Sequence, residues 1–220
     1  MKPAPLTPVA AALVRRGYHL DHRELVPNLV GLRAVRTRLD LDKIDPFESL
    51  SNTWEDYIGV VFFDGRMWRE FLFRGTTDPG KLALPGERGT AVMKPGQYVG
   101  AYMLGKHRGY PALVNWGVTA PAYWRVVDKD GKPELVGEGE EYIGLNIHRS
   151  NRDGDNPPTL VGPFSAGCQV IQDHDDWEWF IEKVAGLASY AAMAHDLDYL
   201  TYTLLYTTDI TDPPDPQEAQ

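Results

Sequence analysis

The fold and the chemistry of this chain are decided by two short stretches, YIGLNIH at residues 142–148 and SAGC at residues 165–168. Residues alternate along the first stretch as they do in a β-strand whose two faces differ. The alternation places His148 on a polar face and directs the opposite set toward a core: Ile143, Leu145 and Ile147. The second stretch contains Cys168, the one cysteine of the chain, twenty residues after His148.

A single cysteine limits what Cys168 can do. It cannot form a disulfide within the chain or a zinc site built from several thiolates. It is therefore either a small buried apolar residue or a nucleophile whose proton a neighbouring imidazole removes. Gly167 permits a close backbone approach, and successive backbone N–H groups beside it could hold an oxyanion. This context favours the nucleophile, with His148 as its base.

The order of a strand histidine, a loop and Ser-x-Gly-Cys resembles the signature of the L,D-transpeptidase catalytic domain (YkuD-like) family. The resemblance covers residues 89–171, where MKPGQY at residues 93–98 is also similar to the family's T-P-x-G-x-[FY] segment. The chain departs from the family at two positions. Ala166 replaces the second histidine of S-H-G-C, so the supporting hydrogen bond of that histidine is not expected here. Val170 replaces an arginine that often anchors substrate or loop.

This resemblance implies a mainly β (α+β) fold, an L,D-transpeptidase-like sandwich or barrel with a short N-terminal helix and a C-terminal helix packed on the sheet. It also implies acyl transfer on peptidoglycan stem peptides through a thioester on Cys168, with His148 as base and no metal, nucleotide or organic cofactor. Ser165 would help to order the catalytic loop, and the backbone N–H groups of Gly167 and Cys168 would hold the oxyanion. An amine would complete transpeptidation, and water would complete carboxypeptidase or endopeptidase cleavage.

A second set of residues is a candidate for substrate binding. His107 and Arg108 form a cationic pair between two predicted strands, which could grip a stem-peptide carboxylate or belong to a solvated loop. The full set of candidates is His107, Arg108, Tyr110 and Arg149.

Two alternative functions stay open. One is a peptidoglycan L,D-endopeptidase or carboxypeptidase that acts as a phage lysin or injected toxin. The other is a non-enzymatic phage or secretion-system structural protein, in which SAGC is a tight turn. A papain-like enzyme is disfavoured, because its cysteine precedes its histidine, although such groups recur in different orders on unrelated folds.

Composition and charge exclude some partners. The chain has a formal net charge of −9 and no cluster of Lys and Arg longer than a pair, which argues against nucleic acid. It has no run of the ~20 apolar residues that span a bilayer. Prolines interrupt the N-terminal apolar run, which predicts a helix over residues 9–16 rather than a secretion signal. We therefore expect synthesis in the cytoplasm without a signal peptide, and action on the cell wall or periplasm after lysis, injection or as a phage component.

The sequence predicts three regions: an N-terminal extension at residues 1–55, a catalytic domain at 56–210 and a disordered acidic, proline-rich tail at 211–220. A hairpin is expected at Asp64-Gly65. Strands are predicted at residues 57–63, 67–73, 89–93, 97–103, 112–116, 124–127, 142–148 and 201–207. A turn is predicted at 128–132.

The C-terminal part predicts a helix that begins with an Asp175 N-cap and runs to about Leu187, with 188–194 as an extension or a second helix. Trp177, Trp179 and Phe180 are expected to anchor this helix in the core. The acidic run at residues 173–176 is interpreted as a helix start rather than a metal site. Residues 151–155 resemble the front of a calcium loop without its final glutamate, and are interpreted as the loop between base and nucleophile.

Overall fold

The computed structural model describes residues 4–35, 52–80, 89–129, 132–151 and 156–211. The protein is mainly β, with 42% strand and 21% helix, which confirms the predicted β-rich α+β class. The strands are β1 (Asn28–Arg33), β2 (Asp56–Phe63), β3 (Trp68–Thr76), β4 (Thr90–Met93), β5 (Gly96–His107), β6 (Tyr110–Val114), β7 (Ala122–Lys129), β8 (Lys132–Glu140), β9 (Ile147–Arg149), β10 (Gln169–Ile171) and β11 (Leu200–Tyr206). The helices are α1 (Pro8–Arg15), α2 (His174–His195) and α3 (Thr208–Thr211), with a 3₁₀ turn at Gly162–Phe164.

Eight of these strands close into a barrel in the order β1-β11-β5-β6-β9-β10-β3-β2, and β4-β7-β8 form a separate sheet. Closure leaves the barrel without an edge strand that could pair with another chain. Two neighbouring pairs are parallel, β1 with β11 and β9 with β10, and the other six are antiparallel. The predicted hairpin at Asp64-Gly65 joins β2 to β3, where Phe63 pairs with Trp68.

The N-terminal segment contributes directly to the barrel. Thr7 caps α1, since its hydroxyl accepts the Ala10 N–H at 3.4 Å. The helix packs on the outer side of β1, where Val30 and Leu32 are buried. Leu29 of the same strand belongs to the barrel interior. Because β1 is buried on both sides, its sequence lacks alternation, and the pattern used to predict strands does not detect it.

Helix α2 covers the opposite part of the core. Its N-cap is Asp173, whose carboxylate accepts the N–H groups of Asp175 at 2.8 Å and Asp176 at 3.1 Å. The predicted N-cap at Asp175 is therefore wrong by two residues, and the helix continues unbroken to His195. Trp177 and Phe180 are fully buried, as predicted. Trp179 is 39% exposed and lies against two aromatic rings of β3, those of Phe71 and Phe73.

One predicted strand is too long, and one strand of the structure was not predicted. The strand expected at residues 142–148 is limited to β9, because Gly144 has a φ of +78° and turns the backbone, with Asn146 N–H bonded to the Gly144 carbonyl at 2.8 Å. Strand β8 was not predicted, since its sequence is rich in Glu and Gly and both Leu135 and Val136 are exposed. The calcium-like loop beyond Asn151, part of the 128–132 turn and the tail beyond Thr211 lie outside the described residues.

Candidate functional site

The candidate base lies on β9, and the candidate nucleophile directly precedes the neighbouring strand β10. Strands β9 and β10 are parallel, with His148 paired to Val170, and the Gln169 N–H donates to the Asn146 carbonyl at 2.9 Å. Paired residues of a parallel sheet share a face. Ile147 therefore points into the barrel, whereas His148, Val170 and Cys168 lie on the outer face. Cys168 packs there against a small cluster that includes Val170.

The loop that presents Cys168 is held by Ser165 and Gly167. The Ser165 hydroxyl donates to the Cys168 carbonyl at 2.8 Å and accepts the Gly167 N–H at 3.2 Å. Gly167 has a φ of +114°, and a Cβ there would lie 2.4 Å from the carbonyl oxygen of Ala91. Only glycine fits this position without strain. The loop geometry thus depends on the two residues that flank Ala166 in the sequence motif.

The His148 ring is enclosed by neighbours from three directions. Its Nδ1 lies 2.7 Å from the Arg149 carbonyl oxygen and 3.2 Å from the Tyr110 hydroxyl. A carbonyl can only accept, so Nδ1 carries the proton and Nε2 has the free lone pair of a base. The His107 ring stacks on the other side, with planes 5° apart and centroids 4.2 Å apart. The Arg149 carbonyl is thus a backbone group that orients the base.

Burial keeps both candidate catalytic groups neutral in the resting protein. His148 is 4% exposed, so the polar face on which the alternation places it is covered. Desolvation lowers the pKa of His148 to about 4, and the charges of His107, Arg108 and Arg149 act in the same direction. Desolvation also raises the pKa of the Cys168 thiol to about 11, offset in part by the Asn146 N–H and the charge of Arg108. Neutral thiol and neutral imidazole therefore coexist at pH 7.

The thiol of Cys168 donates its hydrogen bond to a backbone carbonyl and not to the candidate base. Among the described residues, Cys168 Sγ donates to the carbonyl oxygen of Gly144 at 3.4 Å, and no hydrogen bond joins it to His148. A thiol activated by histidine would be alkylated quickly at neutral pH, and this resting geometry does not fit that behaviour, because a thiol with a raised pKa is mostly protonated there. The expected oxyanion donor at Gly167 also needs correction, since its N–H already donates to Ser165. The Cys168 N–H is the other candidate donor.

Three of the four candidate substrate-binding residues cluster around His148. His107 and Tyr110 face each other across the β5–β6 hairpin, whose turn residues Arg108 and Gly109 both have positive φ. Arg149 is 6% exposed, and its guanidinium lies 4.2 Å from the centre of the Tyr110 ring. Arg108 is exposed, and its charge lowers the pKa of Cys168, of His148 and of His107. Positive charge thus borders the site.

Several residues that support the site were not found from the sequence. Asn146 accepts the Asn115 N–H at 3.0 Å and holds His107 Nδ1 at 3.2 Å, so it links β6 to the stacked ring. Gln169 is fully buried and joins the Gly167 carbonyl to the Tyr202 hydroxyl. The signal for these two residues in the sequence was an asparagine and a glutamine next to the candidate catalytic histidine and cysteine. Their hydrogen-bond partners become evident only when the order of the strands in the barrel is known.

The two departures from the family motif have different surroundings. Ala166 is exposed, so a larger side chain would project into solvent. Val170 is fully buried beside Trp54 and Val161. An arginine at position 170 would place a charge in this apolar cluster, which is costly. Positive charge reaches the site from Arg108 and Arg149 instead.

No helix in the described ranges is long and apolar enough to cross a bilayer. Comparison with protein-family models, with curated proteins and with solved structures finds no match to this chain.

Proposed function

We propose that the protein is a cysteine-dependent acyl transferase of the L,D-transpeptidase type, which acts on peptidoglycan stem peptides. The observation that carries the proposal is that His148 lies on β9 and that Cys168 directly precedes β10, the parallel strand paired with β9, on the same face as Val170. The Nδ1 proton of His148 is fixed by a backbone carbonyl, which leaves Nε2 as a base. The glycine before the cysteine and the serine two residues earlier hold the nucleophile loop.

The reaction begins with transfer of the Cys168 thiol proton to His148 Nε2, as Sγ attacks the carbonyl carbon of the diamino acid at the third position of the stem. The Cys168 N–H supports the oxyanion. The C–N bond then breaks, and the imidazolium gives its proton to the departing D-amino acid, which leaves a thioester on Cys168. An amine or water attacks the thioester carbonyl, and the thiol recovers its proton.

The resting geometry requires that substrate activates the pair. Because the pKa of Cys168 is raised and that of His148 is lowered, the proton stays on sulfur until a carbonyl is present. The proposed attack requires the thiol to leave the Gly144 carbonyl and to give its proton to the imidazole. Arg108 and Arg149 supply positive charge for a stem-peptide carboxylate. The proposed chemistry needs no metal or organic cofactor.

The test is to incubate the purified protein with sacculi and with defined muropeptides, followed by mass analysis. New crosslinks, loss of terminal D-Ala and cleaved crosslinks report transfer, carboxypeptidase and endopeptidase activity respectively. Cys168→Ala serves as control. Intact-protein mass should show an acyl adduct on the wild type and none on the variant. Absence of both adduct and product from every stem peptide would overturn the proposal.

A second candidate is a non-enzymatic phage or secretion-system protein in which SAGC is a structural turn. The bond from the thiol to the Gly144 carbonyl and the raised pKa of Cys168 favour this candidate. It predicts that Cys168→Ala is without effect on function and that no adduct forms. The adduct measurement therefore separates the two candidates directly.

We further propose that the protein acts on a cell wall or periplasm that it reaches by lysis, injection or within a phage particle. Either hydrolysis or diversion of crosslinks would then damage the target wall. Export to the periplasm with an added signal should be toxic, whereas cytoplasmic expression should be harmless. Equal growth in both cases, with an adduct on Cys168 demonstrated, would favour a benign transpeptidase.

A further inference from the structure

An exposed pair of aromatic rings lies beside the candidate site. The rings of Trp116 and Tyr142 stack with planes 10° apart and centroids 5.8 Å apart. Trp116 is 61% exposed, in contrast to Trp54 and Trp177, which are almost fully buried. An exposed tryptophan that is already stacked presents one free, flat face to solvent at little further entropic cost.

The pair is held rigidly by backbone contacts. The Tyr142 hydroxyl donates to the Gly117 carbonyl at 2.7 Å. Gly117 N–H and Val118 N–H donate to β5, at the carbonyls of Ala101 and Gly100. A Cβ at Gly117 would lie 1.8 Å from the Gly100 carbonyl oxygen, so this loop lies directly on the strand. The rings are therefore preorganised rather than free to follow a ligand.

The same two chain segments lead to the nucleophile. Tyr142 precedes by two residues Gly144, whose carbonyl accepts the Cys168 thiol. Trp116 follows Asn115, whose N–H donates to Asn146 beside β9. The path from Sγ runs 3.4 Å to the Gly144 carbonyl, along two residues and the Tyr142 side chain, and 5.8 Å between the rings, so it sets an upper bound on their separation. A three-residue stem peptide extends about 10 Å, which is of the same order as this bound.

We propose that Trp116 and Tyr142 form a stacking platform for the sugar ring from which the stem peptide hangs. This inference rests on the proposed function and adds recognition of the glycan to it. The C–H face of a pyranose is complementary to the negative face of an aromatic ring. A second copy of the chain is a poorer occupant, because two rings offer a few hundred Å² whereas a stable interface needs about 800 Å² per partner.

The test measures binding to Cys168→Ala protein, which cannot turn over substrate. The probes are a GlcNAc-MurNAc-tetrapeptide, the same tetrapeptide without sugar, and chitotetraose, each by calorimetry. The sugar-bearing peptide should bind about three- to tenfold tighter than the free peptide, the range expected for one aromatic stacking contact. Adding Trp116→Ala should remove this gain and the chitotetraose binding, and leave the free peptide unchanged. Trp116→Phe should retain part of the gain.

Trp179→Ala is the matched control, since Trp179 is 39% exposed and lies on α2. It should change none of the three affinities. Equal affinity for the two peptides, or equal losses for both in Trp116→Ala, would overturn the platform, as would a dimer in solution that Trp116→Ala dissociates. Sugar binding that depends on Trp116 without any thioester on wild-type Cys168 would overturn the acyl-transfer function and keep the platform. A thioester without sugar binding would do the reverse.

Discussion

The imidazole rings of His107 and His148 stack face to face, 4.2 Å between centroids. Two imidazolium ions at this separation would repel each other strongly, so at most one of the two rings is in the charged imidazolium form. The Asn146 amide beside His107 Nδ1 and the Arg149 carbonyl beside His148 Nδ1 fix complementary tautomers. His107 is thus a neighbour that keeps the candidate base in its neutral form.

The first prediction concerns the pH dependence of the reaction. The pKa of His148 is about 4 and that of Cys168 about 11, so kcat/KM should be level between about pH 5.5 and 9. His107→Ala admits water and removes one repelling group, which should move the acid limb upward toward the ordinary histidine pKa of ~6.5. Initial rates from pH 4 to 10 measure the plateau and the acid limb. An unchanged acid limb in the variant would show that His107 does not tune the base.

The second prediction concerns the nucleophile. Cys168→Ala should abolish turnover and leave the fold intact, since the change removes one partly buried sulfur. Cys168→Ser should be nearly inactive, because a hydroxyl is a much poorer nucleophile with the same base. Muropeptide turnover and circular dichroism check activity and fold. Turnover above a small fraction of the wild-type value in Cys168→Ala would exclude Cys168 as nucleophile.

A third prediction concerns the base. His148→Ala should lower kcat by about 100-fold or more, the contribution of a general base. The exposed His22 provides the matched control, and His22→Ala should keep wild-type rates. If His148→Ala retains its rate, His107 becomes the next candidate, because its ring is the nearest other imidazole.

The fourth prediction concerns stability at acidic pH. The folded-state pKa of His148 lies near 4, below the ~6.5 of an unfolded histidine, so the unfolded chain binds more protons between these values. The stability that this group contributes is complete above pH 6.5 and is lost as the pH falls toward 4. His148→Gln should weaken the acid dependence of Tm over this window by removing the titrating group. Parallel Tm curves for the two proteins between pH 4 and 7 would contradict this.

The fifth prediction compares two glycines. Gly167→Ala forces an L side chain into a positive φ and against the Ala91 carbonyl, which should destabilise the protein by about 1–3 kcal/mol and displace Cys168. Gly186→Ala lies in α2 with open space around it and should stabilise by about 0.5–1 kcal/mol. Urea unfolding of both variants checks the opposite signs. A neutral Gly167→Ala would mean that the loop can adopt another conformation.

The sequence predicted local elements better than the contacts between distant segments. Alternation and turn residues found the β2–β3 hairpin, most of β5 and both long helices, because those signals are local. They missed β1, which is buried on both faces, and β8, whose Glu, Gly, Leu135 and Val136 residues are largely exposed. They also extended β9 through Gly144, whose positive φ is invisible to a pattern of apolar residues.

The candidate site shows the same division. The motif predicts Cys168, His148, Gly167 and Ser165 as site residues, since their order along the chain is itself the signal. The burial of His148 could not be predicted, because its cover comes from the β5–β6 hairpin, a separate part of the sequence. Shifts in pKa follow from such burial, so they could not be read from the sequence stretch alone.

Barrel closure joins strands that are far apart in the sequence, since β11 lies between β1 and β5. During synthesis, the strands at residues 28–33 and 96–107 therefore each have one unpaired edge until residues 200–206 are made. The Gln169 side chain beneath the nucleophile loop likewise lacks its Tyr202 partner until then. The surroundings of the thiol are consequently complete only once residues 200–206 have joined the barrel, and contacts between segments so distant in sequence are slow to form.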